Sequence, residues 1–203
     1  MSDLFNDKDE ASKSTNAFKP LAEKLRPSKL SDVIGQDQLL GQHGSLTKML
    51  LGSTFQSIIF WGPPGVGKTT IARLLADETK LHFVSLSAIF SGVAEIKKLF
   101  ESAQIRQQNG VGTLLFVDEN HRFNKAQQDA VLPHIENGTV RLIGSTTENP
   151  SFEVIPALLS RCQTFHLEPL EREQIRDILN RTLLDTEKGL GDSGLQISPE
   201  AMN

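Results

Sequence analysis

Apolar and polar positions along this chain fall into blocks of two periods. Short apolar runs stand at residues 57–61 (Ser-Ile-Ile-Phe-Trp), 81–86, 113–118, 139–144 and 163–167. Their length and flanking polar turns read as buried strands. Between them the period changes to that of a helix. Ile96, Leu99, Phe100 and Ala103 fall at i, i+3, i+4 and i+7, the stripe of an amphipathic helix. Residues 37–51, 70–76, 124–137 (with a kink at Pro133) and 152–160 read as further helices. Five strands with helical crossovers imply an α/β fold built on a five-stranded parallel sheet flanked by helices. Ile175, Ile178, Leu179, Thr182 and Leu183 then line one face of a helix that no strand follows, the start of a helical lid.

The ends read differently. Residues 1–18 are rich in Asp, Lys, Ser and Asn and predict a disordered tail. Residues 20–36 carry two prolines and predict an extended lead-in. The expected division is therefore a tail at 1–18, a nucleotide-binding α/β domain at 19–168, and the beginning of a lid at 169–203. Ser198-Pro199-Glu200 has the signature of a helix start, and the chain stops at Asn203. That predicts a fragment of a longer polypeptide.

Composition narrows the chemistry. The 203 residues are 38% hydrophobic, enough for a core, and the net charge is −4. No overall field draws such a chain to nucleic acid, so any DNA contact needs a local basic patch. Cys162 is the only cysteine, which excludes an internal disulfide and cysteine-rich zinc sites and suits a reducing cytosol. No signal-peptide core and no run of about 18 apolar residues is present, so neither secretion nor a membrane span is expected.

The chemistry concentrates at two strand ends. Gly62-Pro63-Pro64-Gly65-Val66-Gly67-Lys68-Thr69 fits G-x-x-x-x-G-K-[ST] and lies between a predicted strand and a predicted helix. In that context backbone N–H groups and the positive helix end surround phosphate oxygens. Lys68 can reach β- and γ-phosphates, and the Thr69 hydroxyl can ligate Mg²⁺. Leu114-Leu115-Phe116-Val117-Asp118-Glu119 supplies an apolar strand ending in two carboxylates. Asp118 suits the Mg²⁺ shell, and Glu119 suits activation of a water. ATP or ADP with Mg²⁺ is the expected ligand.

Together with Gly144-Ser145-Thr146-Thr147 and Ser160-Arg161-Cys162, this order resembles an AAA+ ATPase of the clamp-loader group. The stretches from His121 to Asp129 and from Thr146 to Glu153 are similar to the replication-associated recombination and Werner-helicase-interacting protein family. The resemblance runs from about Pro20 to Ile178. It implies an oligomeric, cytoplasmic, nucleoid-associated ATPase that binds DNA at stalled forks and single-stranded gaps and engages single-strand-binding protein. It implies an oligomerisation region beyond the lid. By the same resemblance Gly62, Gly65, Gly67, Lys68, Thr69 and Thr70 hold phosphate, and Val33 and Ile34 in Asp32-Val33-Ile34-Gly35-Gln36 line the adenine pocket. Thr147 takes the sensor-1 position beside the γ-phosphate. Arg161 is the arginine finger supplied to a neighbour's ATP. Other readings are a clamp-loader subunit, a Holliday-junction motor, or a scaffold that binds ATP with little turnover.

Asn120 departs from the family pattern, which has isoleucine there, and puts the hydrolysis rate in question. The lid arginine of the family lies beyond Asn203, so this chain alone is expected to hydrolyse ATP weakly. Plainer roles compete at other positions. Arg161 could pair at the surface with Glu153 or Glu168. His121 reads as structural, since no second His or Cys stands at ligand spacing. Arg122 and Lys125 could face DNA or only solvent. Phe83, Phe100 and Phe116 read as core.

Overall fold

The computed structural model describes residues 19–52, 55–87, 92–118, 123–195 and 197–198. It divides into two compact units, one spanning Ser28–Leu170 and the other joining Met1–Pro27 with Glu171–Asn203.

The larger unit is a parallel sheet between two helical layers. In chain order it contains α1 (Asp37–Leu40), α2 (Ser45–Leu51), β1 (Ser57–Trp61), α3 (Lys68–Thr79), β2 (His82–Ser87), α4 (Val93–Gln108), β3 (Thr113–Asp118), α5 (Lys125–Glu136), β4 (Val140–Thr146), α6 (Pro150–Glu153), α7 (Pro156–Leu159) and β5 (Cys162–His166). The sheet order is β2-β3-β4-β1-β5, and every pairing is parallel. Strand alternation sends neighbouring residues into opposite layers. Ile58, Phe60, Leu114, Phe116 and Ile143 join Ile71, Leu75 and Ala76 of α3 in one core. Ile59, Leu115, Val117 and Leu142 join Ile96, Phe100 and Ala103 of α4 and Val131 of α5 in the other. The central strands are therefore apolar on both faces, as a sheet covered on both sides requires.

Several expected boundaries move for identifiable reasons. The 37–51 segment is two helices, because the chain turns at Gly41–Gly44. There Gly44 N–H donates to Gly41 C=O, and a Cβ on Gly44 would lie 2.1 Å from the Leu39 carbonyl oxygen. The lead-in at 20–36 is not wholly extended; it forms a helical turn at Leu21–Lys24 started by Pro20 and a 3₁₀ turn at Leu30–Asp32. The 152–160 helix is two single turns. Pro156 holds Ile155 in an extended conformation, φ −60° and ψ 142°, and breaks the run. β4 continues to Thr146, two residues past the expected end. α5 runs through Pro133 to Glu136 and is opened by a capping box, with Asn124 and Gln127 exchanging backbone and side-chain bonds.

A buried amide fixes the elbow between β4 and β5. Gln128 Nε2 donates to the carbonyls of Phe123 and Glu153 at 2.7 and 3.1 Å, and Ile155 N–H donates to its Oε1 at 2.9 Å. On that braced elbow Phe152 stands 85% exposed.

In the other unit, residues 172–184 form α8 (Arg172–Leu184), opened by a capping box of Glu171 and Gln174. The expected stripe is only partly covered within that unit: Thr182 is buried, while Ile175 and Leu179 are 47% and 39% exposed. The expected tail at 1–18 and the helix start at Pro199 lie outside the described residues.

Candidate functional site

β1 lies between β4 and β5, so the loop leaving it opens at the carboxyl edge of the sheet, where the winding direction reverses. That is the usual ligand crevice of an open α/β sheet. Gly62, Gly65 and Gly67 have φ of 149°, 83° and 98°, conformations that L side chains adopt only with strain. Gly62 has a second constraint: a Cβ there would lie 2.3 Å from the Leu167 carbonyl oxygen. Gly62 N–H donates to Thr146 C=O, which moors the loop to β4. Pro63 and Pro64 form its outward turn, and Val66 is buried in the core beneath it. The loop is thus held from below by Val66 and at its root by Gly62.

Lys68, Thr69 and Thr70 make the first turn of α3, a 12-residue helix whose N-cap is Gly67. The Lys68 ammonium donates to the carbonyl oxygens of Gly62 and Pro63 at 2.8 and 2.7 Å. Burial pulls its pKa below the ordinary lysine value, and the Asp118 carboxylate opposes that shift. A half-buried cation at a helix N-terminus, bonded among the described residues to two loop carbonyls and within the field of the Asp118 carboxylate, is a site that gains from an anion.

Asp118 ends β3, and its Oδ1 accepts a hydrogen bond from Ser145 Oγ at 2.5 Å across the adjoining strand β4. Ser145 is buried at the end of the sheet, and Thr146 Oγ1 accepts from Glu148 N–H. Thr147 follows β4 as an exposed residue, next to these hydroxyls in sequence. Glu119, Asn120, His121 and Arg122 lie outside the described residues. The donor set fits Mg²⁺. Thr69 and Asp118 offer one hydroxyl and one carboxylate, and Mg²⁺ in such sites takes its remaining ligands from phosphate and water. Among the described residues no group of three His, Cys, Asp or Glu could form an all-protein cage.

Val33 and Ile34 are half-buried, and Val33 packs on the core that also holds α3. Gln36, buried beside them, bonds to the backbone of Glu168. Trp61, at the end of β1, stacks on His166 of β5 with ring centroids 4.1 Å apart. Sequence reasoning placed Ser145 and Gln36 only within longer motifs, with no side-chain role for either, and did not reach His166. Ser145 was visible as one of three adjacent hydroxyl residues, but only the strand register shows which one meets Asp118.

Arg161 stands apart from this cluster. It precedes Cys162, which pairs with Ser57 at the start of β1, whereas the phosphate loop leaves the end of β1. The separation is the length of that strand, roughly 13 Å. Its guanidinium bonds to the carbonyl of Ala157 and pairs with Glu136 at 2.5 Å, both at the amino edge of the sheet. Neither Glu153 nor Glu168 is its partner. Gln56, Arg141, Asn137 and Gln163 line an open groove around it.

Comparison with known proteins agrees with this geometry. Residues 58–170 match the model of the ATPase family associated with various cellular activities (AAA). The chain is 45% identical over 187 residues to replication-associated recombination protein A of Escherichia coli strain K12, covering 92% of this chain and 42% of that protein. It is 47% identical over 167 residues to the ATPase WRNIP1 of Dictyostelium discoideum, covering 82% of this chain and 19% of that one. The Thermotoga maritima RuvB Holliday junction branch migration motor superposes with a TM-score of 0.64 at 26% identity, over 79% of this chain and 54% of that one. This chain thus spans about two-fifths of the length of the Escherichia coli relative. By family match and by identity, the chain belongs to the AAA ATPases, in the branch that holds replication-associated recombination protein A and WRNIP1.

Proposed function

We propose that the chain is the nucleotide-binding part of a DNA-associated ATPase that hydrolyses Mg-ATP between subunits during replication-fork maintenance, recombination and repair. One observation carries the proposal: Lys68 at the head of α3, with its ammonium lent to loop carbonyls, converges with Thr69 and Asp118 on one sheet edge. The unit Ser28–Leu170 is the nucleotide-binding domain in this reading, and residues from Glu171 begin the lid.

The roles follow from placement. Lys68 exchanges the Gly62 and Pro63 carbonyls for phosphate oxygens, and the loop amides donate to the same phosphates. Thr69 and Asp118 would hold Mg²⁺, which would supply positive charge to offset that of the phosphates. Val33 and Ile34 take the adenine. Glu119, next in sequence to Asp118, orients the attacking water and takes its proton, and Thr147 positions that water. Arg161 lies a strand's length from its own loop, which supports its service to a neighbouring subunit's ATP, where a guanidinium offsets the charge developing on the γ-phosphate.

The partners in this reading are DNA at forks and single-stranded gaps, single-strand-binding protein and further copies of the chain, in the cytoplasm at the nucleoid. Names of the relatives support the replication and recombination setting. No described helix is long and apolar enough to cross a membrane. The Holliday-junction motor reading is weaker, since that similarity is 26% against 45% for the recombination protein.

The test is turnover by the assembled protein with and without single-stranded DNA. Stimulated hydrolysis that Lys68→Ala abolishes is expected. ATP binding without turnover would leave the scaffold reading, and no binding would remove the site.

A further inference from the structure

Gln36 is held in a conformation its residue type avoids. Its φ is 64° and ψ 28°, in the left-handed region, directly after Gly35 at φ 76°. It is 5% exposed, with a polar side chain. Such strain persists only where surrounding contacts over-determine it, and it concentrates at functional sites. Here the contacts are explicit. Gln36 Nε2 donates to the Glu168 carbonyl at 2.7 Å, and Glu168 N–H donates to Gln36 Oε1 at 3.0 Å. The side-chain amide thus pairs with a backbone amide 132 residues away.

The neighbour of Glu168 is the second half of the arrangement. Leu167 is fully buried, and its N–H donates to Trp61 C=O at 2.8 Å. Its carbonyl lies against Gly62 so closely that no Cβ fits there. Residues 167–168 are therefore a strut. One residue abuts the root of the phosphate loop, and the next is clamped to the segment carrying Val33 and Ile34. Two residues later the chain leaves this unit at Leu170.

We infer that Gln36 is a positioning residue for nucleotide recognition: through Glu168 it sets the spacing between the base-binding segment Val33–Ile34 and the phosphate loop. This rests on the nucleotide reading above. A nucleotide bridges the two segments, so its affinity depends on their separation. Bare polyphosphate uses the loop alone and does not. The clamp therefore contributes to binding of ADP and not to binding of tripolyphosphate.

Gln36→Asn is the informative substitution. Asparagine tolerates the left-handed conformation, so the turn survives, but its amide is one methylene too short to reach Glu168. Gln36→Gly keeps the turn with no side chain and serves as a second variant. Gln107→Ala is the control, because Gln107 is exposed on α4 and bonds to the Gly138 carbonyl, outside the clamp. Calorimetric titration of each with Mg-ADP and with Mg-tripolyphosphate is expected to show a 10-fold or greater loss of ADP affinity in both Gln36 variants. Tripolyphosphate affinity should stay within about 2-fold, and Gln107→Ala should match wild type. An equal fall for both ligands, or no fall for either, would overturn the positioning role. Failure of the wild-type protein to bind either ligand would instead overturn the nucleotide reading.

Discussion

At the scale of residues, the loop glycines were legible because their spacing is itself the motif. The structure adds a reason for each. Gly65 and Gly67 answer to φ alone, whereas Gly62 answers also to the Leu167 carbonyl. Gly62→Ala should therefore do double damage. It should lower the unfolding free energy by about 2–4 kcal/mol, as strained positive-φ positions with backbone overlap do, and should abolish nucleotide binding by displacing the loop root. Urea denaturation and Mg-ADP titration check the two effects. Gly65→Ala meets no neighbour, so its stability cost should be the smaller. Cys162 illustrates what composition could not tell. It is a free thiol, but burial pushes its pKa up to about 12. The native protein should leave it unmodified by iodoacetamide at pH 7.5, with full labelling only in denaturant. Ser145 and Gln36 were illegible for one reason: their partners, Asp118 and Glu168, are distant in sequence and adjacent only through the sheet.

At the scale of elements, periodicity placed five strands and the main helices, and it failed where single residues override it. Gly41 and Gly44 split one expected helix, and Pro156 split another. The α6–α7 elbow depends on Gln128, which no pattern marked as buried. Gln128→Leu keeps its volume and strands the Phe123 and Glu153 carbonyls and the Ile155 N–H. Stranded buried groups cost about 1–3 kcal/mol each, so a loss of several kcal/mol is expected by urea denaturation. α5 also carries an acid sensitivity. His134 stacks on Phe100 with centroids 3.8 Å apart, its Nδ1 has no hydrogen-bond partner among the described residues, and burial lowers its pKa. The unfolded chain takes the proton near pH 6.5, whereas the native state resists it. Above that pH both states are neutral and the residue contributes no pH dependence. As pH falls below it, the unfolded state gains the proton first and stability is lost. His134→Leu should flatten the fall in urea midpoint between pH 7 and pH 5.

At the scale of the whole molecule, the parallel α/β sheet was implied by alternation of strand and helix, but the strand order β2-β3-β4-β1-β5 was not. Order depends on which strand each crossover reaches, and local sequence does not encode that. The order has a functional consequence. It puts the phosphate loop at the carboxyl end of β1 and Arg161 at the amino end of the neighbouring β5, held by Glu136. If both serve ATP, as proposed, they serve different molecules of it, and hydrolysis is expected to be a property of an interface. Arg161→Ala should lower turnover by ~10³-fold while leaving Mg-ADP affinity unchanged. The most direct measurement mixes Arg161→Ala subunits with Glu119→Gln subunits, each inactive alone, in assemblies shown to contain both. An interface that joins the intact Glu119 of one subunit to the intact Arg161 of the other should restore part of the ATPase rate. Co-assembled mixtures that remain as inactive as either parent would contradict the account.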